Sequence, residues 1–370
     1  MDSQIFNPPL EIPGLKPGDE RGFVQRGREP RPLGRGGSTR IKNGNIIPGV
    51  TLLLCIVYIL GFKINALSAG TDSKKCAFFI EEKIIFKNLP QDINSLRIWI
   101  PYPVNDARQS IADFNLVSQF ASRFILDKEY GNAIIYLTPR QKFQDNNAPE
   151  IILSFKVKRK EGSVYLDSRP AFRFLKADRL VQIDAEIKAL AKNISQGKNN
   201  DLDKARAIYD YLIDTVTYYR GDPNICGIGN SLLTLKTKKG ICTDYHSLFI
   251  SLVRSLGIPA KFEIGFLIPE NTQEGKLKNY HCWAEFYLKG KGWIPVDVSE
   301  ADKHPEKREY FFGHIDAQRV HFSTGRDIKL QYAKNTEPLN FFIYPYVELN
   351  GRQFDDMDFE LLFKELKGGD

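Results

Sequence analysis

A cysteine, a histidine and an aspartate, in that order, are the residues of this chain best placed to do chemistry. Cys242 lies near the start of "GICTDYHSLFISLVRSLGIPAKFEIGF" (240–266). Leu248, Phe249, Leu252, Val253 and Leu256 recur there at helical spacing and give one apolar stripe. Gly257 and Ile258-Pro259 then stop the helix. Cys242 falls where unpaired backbone N–H groups and the positive dipole end favour an anion, so its thiol ionises readily. On this stretch alone the simpler reading is a small buried hydrophobe, since free cysteine is among the most buried residue types.

A second stretch changes that balance. "YHCWAEFYLKGKGWIPVDVSE" (280–300) reads as two strands joined at Gly-Lys-Gly. His281, Trp283, Glu285 and Tyr287 share one face; Trp293, Pro295 and Asp297 share a face of the next strand. A three-residue loop Leu288-Lys289-Gly290, with Gly290 left-handed, sets His281 directly opposite Asp297. A two-residue Gly290-Lys291 tip would turn Asp297 away unless a bulge intervened. A nucleophilic thiol needs a base within hydrogen-bond reach and a group to orient that base. Cys242, His281 and Asp297 supply all three.

Neighbouring residues have plainer roles. Asp244 sits in the helix's first turn, where a carboxylate is stabilised, and is read as structural. His246 shares a face with Cys242 and is the rival base, but no acid in motif orients it, so it is expected to pack or hydrogen-bond beneath the site. Trp283 and Trp293 are expected as core or cleft aromatics. An oxyanion would be held by the Cys242 N–H and a second donor, for which the loop Asn224–Asn230 is a candidate by chain position. A four-ligand metal cluster of Cys242, His246, His281 and Cys282 is disfavoured because no ligand spacing repeats. No cofactor or metal is expected.

The elements that must hold these residues belong to a chain of 370 residues, 42% hydrophobic and 26% charged, long enough for two domains. Its net charge of +7 is not gathered into a basic stripe, so nucleic acid is not expected as a partner. Residues 1–45 are rich in Pro, Gly and Arg and read as a disordered leader or cytoplasmic segment. "IIPGVTLLLCIVYILGF" (46–62) carries no charge, so residues 46–67 are read as a transmembrane helix or signal-peptide core. Six Lys/Arg between Arg26 and Lys42 keep the N-terminus cytoplasmic and send the body outside, periplasmic or extracellular. Small residues in "NALSAG" leave open a secreted form after signal cleavage. Five cysteines are too few for a disulfide scaffold.

Residues 72–165 hold short β-branched and aromatic runs and read as an antiparallel β-sandwich-like domain. Helical spacing takes over after Asp178, with Asp201 as a cap, and strands follow at 260–267, 280–288 and 293–298. Residues 178–370 therefore read as a second, α+β domain, with 340–349 and 357–366 expected as further strands on its sheet.

The motifs around Cys242, His281 and Asp297, in this order and spacing, resemble the transglutaminase-like superfamily. The likeness covers about residues 200–300 and extends through "REYFFGHIDAQRVHFSTGRDI" (308–328), as in the bacterial exported branch. It implies a papain-like fold, with Cys242 as nucleophile, His281 as general base and acid, and Asp297 as the orienting acid. It further implies attack on amide or peptide bonds through a thioester, as peptidase, amidase or acyl transferase; with the body outside the cytoplasm, a peptide or protein of the cell envelope is the expected substrate. The alternative from another class is a non-catalytic envelope-peptide-binding module on the same fold.

Overall fold

A computed structural model describes residues 73–90, 93–140, 149–165, 171–221 and 227–367. The expected leader and the apolar run 46–62 lie outside them. Among the described residues no helix is long and apolar enough to cross a membrane.

Six strands come first: β1 (Lys75–Phe86), β2 (Leu96–Tyr102), β3 (Gln109–Ser118), β4 (Ala121–Leu126), β5 (Ala133–Thr138) and β6 (Glu150–Lys160). In β1 the residues Phe78, Ile80, Glu82, Ile84 and Phe86 alternate inward, the period of two that a half-buried strand requires. Three helices follow, each started by a side chain that accepts a first-turn N–H: α1 (Ala185–Ile194) by Asp184, α2 (Asp201–Thr215) by Asn200 and α3 (Ser231–Thr237) by Asn230. The cap of α2 is thus one residue earlier than Asp201; Asn200 Oδ1 accepts the Asp203 N–H at 2.9 Å. Two-residue strands β7 (Thr217–Tyr218) and β8 (Lys239–Gly240) pair in parallel and deliver the chain to α4 (Cys242–Ser255).

Beyond α4 run β9 (Ala260–Leu267), β10 (Glu274–Leu277), β11 (His281–Leu288), β12 (Gly292–Val296), α5 (Val298–Lys303) and β13 (Arg319–Thr324). The C-terminal strands are β14 (Tyr346–Leu349), β15 (Arg352–Gln353) and β16 (Met357–Glu365). A four-stranded sheet β12-β11-β9-β13 backs the helices. Two five-stranded sheets, β10-β16-β1-β6-β3 and β15-β14-β2-β5-β4, form the sandwich. Their inner faces meet through Ile80, Ile84, Ile98, Ile135 and Leu153.

Two expectations need correction here. The C-terminal strands do not extend the sheet behind the helices: β16 pairs with β1, and β14 with β2. Periodicity shows that a segment is a strand and which face it buries, but does not name its partner. With these long-range pairings, the described residues form one compact unit by their contacts. Helix α4 also departs from the single apolar stripe, because every residue from Cys242 to Arg254 is buried. Its polar side is satisfied by protein: Ser247 Oγ accepts from Arg326, Ser251 donates to the Gln182 carbonyl, and Arg254 bonds Ala260 O and Asp178. Full burial of Phe249 and Leu252 contributes roughly 1.5–3 kcal/mol each. The first turn of α4 is thereby fixed in a rigid core.

Candidate active site

Cys242 is the first residue of α4, and the sequence before it explains the sharp entry. A Cβ on Gly240 would meet Asp244 Cβ at 2.3 Å, so only glycine allows the turn. Asp244 closes the corner by accepting N–H groups from Ile241 at 2.9 Å, Gly227 at 2.7 Å and Gly229 at 2.9 Å. Its expected structural role holds. It also ties the end of the proposed oxyanion loop to the helix start; residues 222–226 of that loop lie outside the described residues.

The hairpin closes through a three-residue loop, Lys289-Gly290-Lys291, with Leu288 paired to Gly292 and Gly290 at φ 78°. The expected loop is displaced by one residue, so the register moves by two and Asp297 lies diagonal to His281, not directly opposite. A shift of two keeps the face. His281 Nε2 and Asp297 Oδ2 are 2.6 Å apart. Asp297 also caps α5: its Oδ1 accepts the Glu300 N–H and the Ser299 hydroxyl, both at 2.9 Å. "DVSE" is a capping-box pattern that could have announced this second duty. Oδ2 further accepts from the Arg319 guanidinium.

The third member closes the group. The Cys242 thiol interacts electrostatically with the side chains of both Cys282 and His281. Cys242, His281 and Asp297 are all buried, with His281 bonded to Asp297 and coupled in charge to Cys242. Electrostatics follow from it. A hydrogen bond from Cys282 and the charge of His281 outweigh burial and hold the Cys242 thiol well below its usual range. Burial opposes the imidazolium, but the Asp297 carboxylate overcomes it and raises His281 to about 9. Burial likewise opposes the carboxylate, yet Arg319 and His281 keep Asp297 well below the usual range. These directions favour thiolate and imidazolium beside an ionised aspartate.

His246 lies beneath this group. Its Nε2 is 3.1 Å from the Val298 N–H and 3.4 Å from Asp297 Oδ1. A backbone N–H can only donate, so Nε2 accepts it and the ring proton sits on Nδ1, directed at Cys282 Sγ 3.6 Å away. Cys282, which burial keeps protonated, passes its own proton toward Cys242. Reading the sequence missed this supporting thiol, although its place next to His281, on the opposite side of the strand, points it at α4. Trp283 and Trp293 are core residues, 2% and 1% exposed. Cys76, Cys242 and Cys282 are free thiols; Cys55 and Cys226 lie outside the described residues. Among the described residues no cluster of His, Cys, Asp or Glu has the makings of a metal site.

Comparison with known proteins bears on the family and the fold. Residues 188–298, which contain all three residues, match the family model of the transglutaminase-like superfamily. An uncharacterized protein of Haemophilus influenzae is 26% identical over 308 residues, covering 70% of this chain and 82% of its own length. The uncharacterized protein YebA of Bacillus subtilis is 26% identical over 150 residues, 35% of this chain and 20% of that one. A crystal structure described as "a Putative Cysteine Protease" from Cytophaga hutchinsonii shares the fold, with a TM-score of 0.53 at 19% identity. It covers 80% of this chain and 93% of its own. The fold is transglutaminase-like, with a β-rich N-terminal region.

Proposed function

We propose that this chain, which carries a transglutaminase-like domain at residues 188–298, is a cysteine enzyme acting on amide or peptide bonds through a thioester. The supporting observation is the buried His281–Asp297 hydrogen bond beside Cys242 at the start of α4, with the charge of His281 lowering that thiol. In the first half-reaction Cys242 Sγ attacks the carbonyl carbon, and the C–N electron pair leaves on the amine. His281 gives that amine its proton. In the second half the neutral imidazole takes a proton from water or an acceptor amine, which attacks the thioester and returns the electron pair to sulfur. The Cys242 N–H, in the first turn of α4, is free of any helical carbonyl and serves as one oxyanion donor. Asp297 holds Nε2, which leaves Nδ1 for the sulfur. Hydrolysis makes the enzyme a peptidase or amidase; an amine acceptor makes it a transferase.

The charge bias before Ile46 and the uncharged run after it support a catalytic body outside the cytoplasm, anchored or released, with envelope peptides or proteins as substrates. The test is a thiol-directed probe competed by a library of envelope peptides, with Cys242→Ala as control. Labelling at Cys242 in mild acid and its suppression by a peptide are expected. Peptide binding by a Cys242→Ala protein, together with a wild type that never forms an acyl-enzyme, would favour the binding module instead.

A further inference from the structure

This inference rests on the reading of Cys242 as a thiolate nucleophile and concerns Arg319, the first residue of β13. Strand β13 lies on the far side of β9 from β11, so no local spacing links Arg319 to the hairpin. Its side chain nevertheless crosses to Asp297 and is fully buried. Nε is 2.9 Å from Asp316 Oδ2, and Nη1 bonds Asp297 Oδ2. The guanidinium lies 5.5 Å from the Phe311 ring centre and 5.9 Å from that of Trp283. The strand itself is held close: a Cβ on Gly265 of β9 would meet Val320 O at 1.9 Å, so glycine is what lets β13 approach. Both oxygens of Asp297 are thus committed, Oδ1 to Ser299 and Glu300, Oδ2 to His281 and Arg319.

We propose that Arg319 is a positioning residue of this site: it pins the Asp297 carboxylate against His281 and balances its charge, so that the Cys242–His281 pair operates near neutrality. The balance is a matter of counting signs. Thiolate, imidazolium, carboxylate and guanidinium sum to zero in a buried volume, where an unmatched charge is expensive. The groups facing Asp297 are His281 and Cys282 from β11, His246 from α4, Arg319 from β13 and Tyr209 from α2, with Lys303 at longer range from α5. Ser299 and the Glu300 N–H face it from its own helix. Arg319 is faced by Asp297 and Asp316, and at longer range by Glu300 and Arg159. Removing its charge leaves the carboxylate with one counter-charge instead of two. The imidazolium then gains and the thiolate loses, so both limbs of the reactive range move to higher pH.

The test is the pH profile of Cys242 alkylation by iodoacetamide in the full chain, with the labelled residue identified by mass. In R319Q both limbs are expected to rise by about one pH unit, with rate falling about tenfold on the acid limb. R319K restores the charge and keeps the wild-type limbs. Asp316 lies behind the guanidinium, outside the reacting group, so D316N should move the limbs the other way by about half a unit. That opposite sign keeps the inference testable if R319Q folds poorly. A wild-type profile with no acid limb would sink the thiolate reading and this inference with it. A wild-type acid limb that R319Q and D316N leave in place would overturn this inference alone.

Discussion

His246 Nε2 accepts the backbone N–H of Val298, the residue directly after Asp297, at 3.1 Å. That bond occupies the nitrogen that would otherwise compete for Asp297 and turns the ring's proton toward Cys282. A base must present a free lone pair to the proton it removes, and His246 has none left. His246→Ala should therefore leave the alkylation profile of Cys242 close to that of wild type in shape. The stranded Val298 N–H should cost about 1–3 kcal/mol of stability in urea melts. Loss of the acid limb in His246→Ala, with its retention in His281→Ala, would show that the base has been misassigned.

The three linked residues should divide their work unequally. Cys242→Ala removes the sulfur proposed to hold the acyl group, and amide turnover should drop to background. His281→Ala should be nearly as damaging, and the double variant little worse than either, since members of one unit do not add. Asp297→Ala leaves an imidazole without its guide, and a loss of about a hundred- to ten-thousand-fold is expected. Turnover of a peptide amide by the four variants checks this; strictly additive losses would contradict a shared mechanism.

Cys282 supplies the leading influence that keeps the Cys242 sulfur ionised. Cys282→Ala removes that donor and little volume. The acid limb of Cys242 alkylation should move toward higher pH while the alkaline limb, set by His281 and Asp297, stays nearly in place. Wild-type Cys282 itself should resist labelling, because burial keeps it a thiol. An acid limb unmoved in Cys282→Ala would remove this thiol from the account.

Glu82 makes the sandwich core sensitive to pH. It points inward between Ile80 and Ile84, 1% exposed, and neither carboxyl oxygen has a hydrogen-bond partner. Burial raises it to about 8 from an ordinary value of 4.5. A folded-state value above the unfolded one means the proton stabilises the fold. Stability is full below about 4.5 and is lost as pH rises through about 8, a change of at most a few kcal/mol. Glu82→Leu should therefore be more stabilising in mild alkali than in mild acid, measured as urea midpoints. A gain independent of pH would show that the carboxyl finds a partner when it ionises.

What could be read from the sequence was whatever depends on near neighbours. The helix from Cys242 was marked by apolar residues a few positions apart and by its stop at Gly257-Ile258-Pro259, though its full burial was not. His281 and Asp297 could be placed on one face because pleat parity survives the loop's one-residue displacement. Arg319 and Cys282 were not legible as contributors, because each acts through a contact made only when α4, β11 and β13 come together. The same limit hid the partners of β14 and β16. Their alternation marked them as strands, but a sheet edge more than two hundred residues upstream leaves no trace in local spacing.

The pairing of β16 with β1 sets an order of events during synthesis. Residues 75–86 leave the ribosome long before residues 357–365. Until then one side of β1 is an unpaired edge above an apolar row, open to other chains. Much of the loop-closing cost falls at the end of synthesis. A chain stopped a few residues before Met357 would keep every reacting side chain and still present that open edge. Such a truncation should be lost to aggregation before its chemistry could be tested.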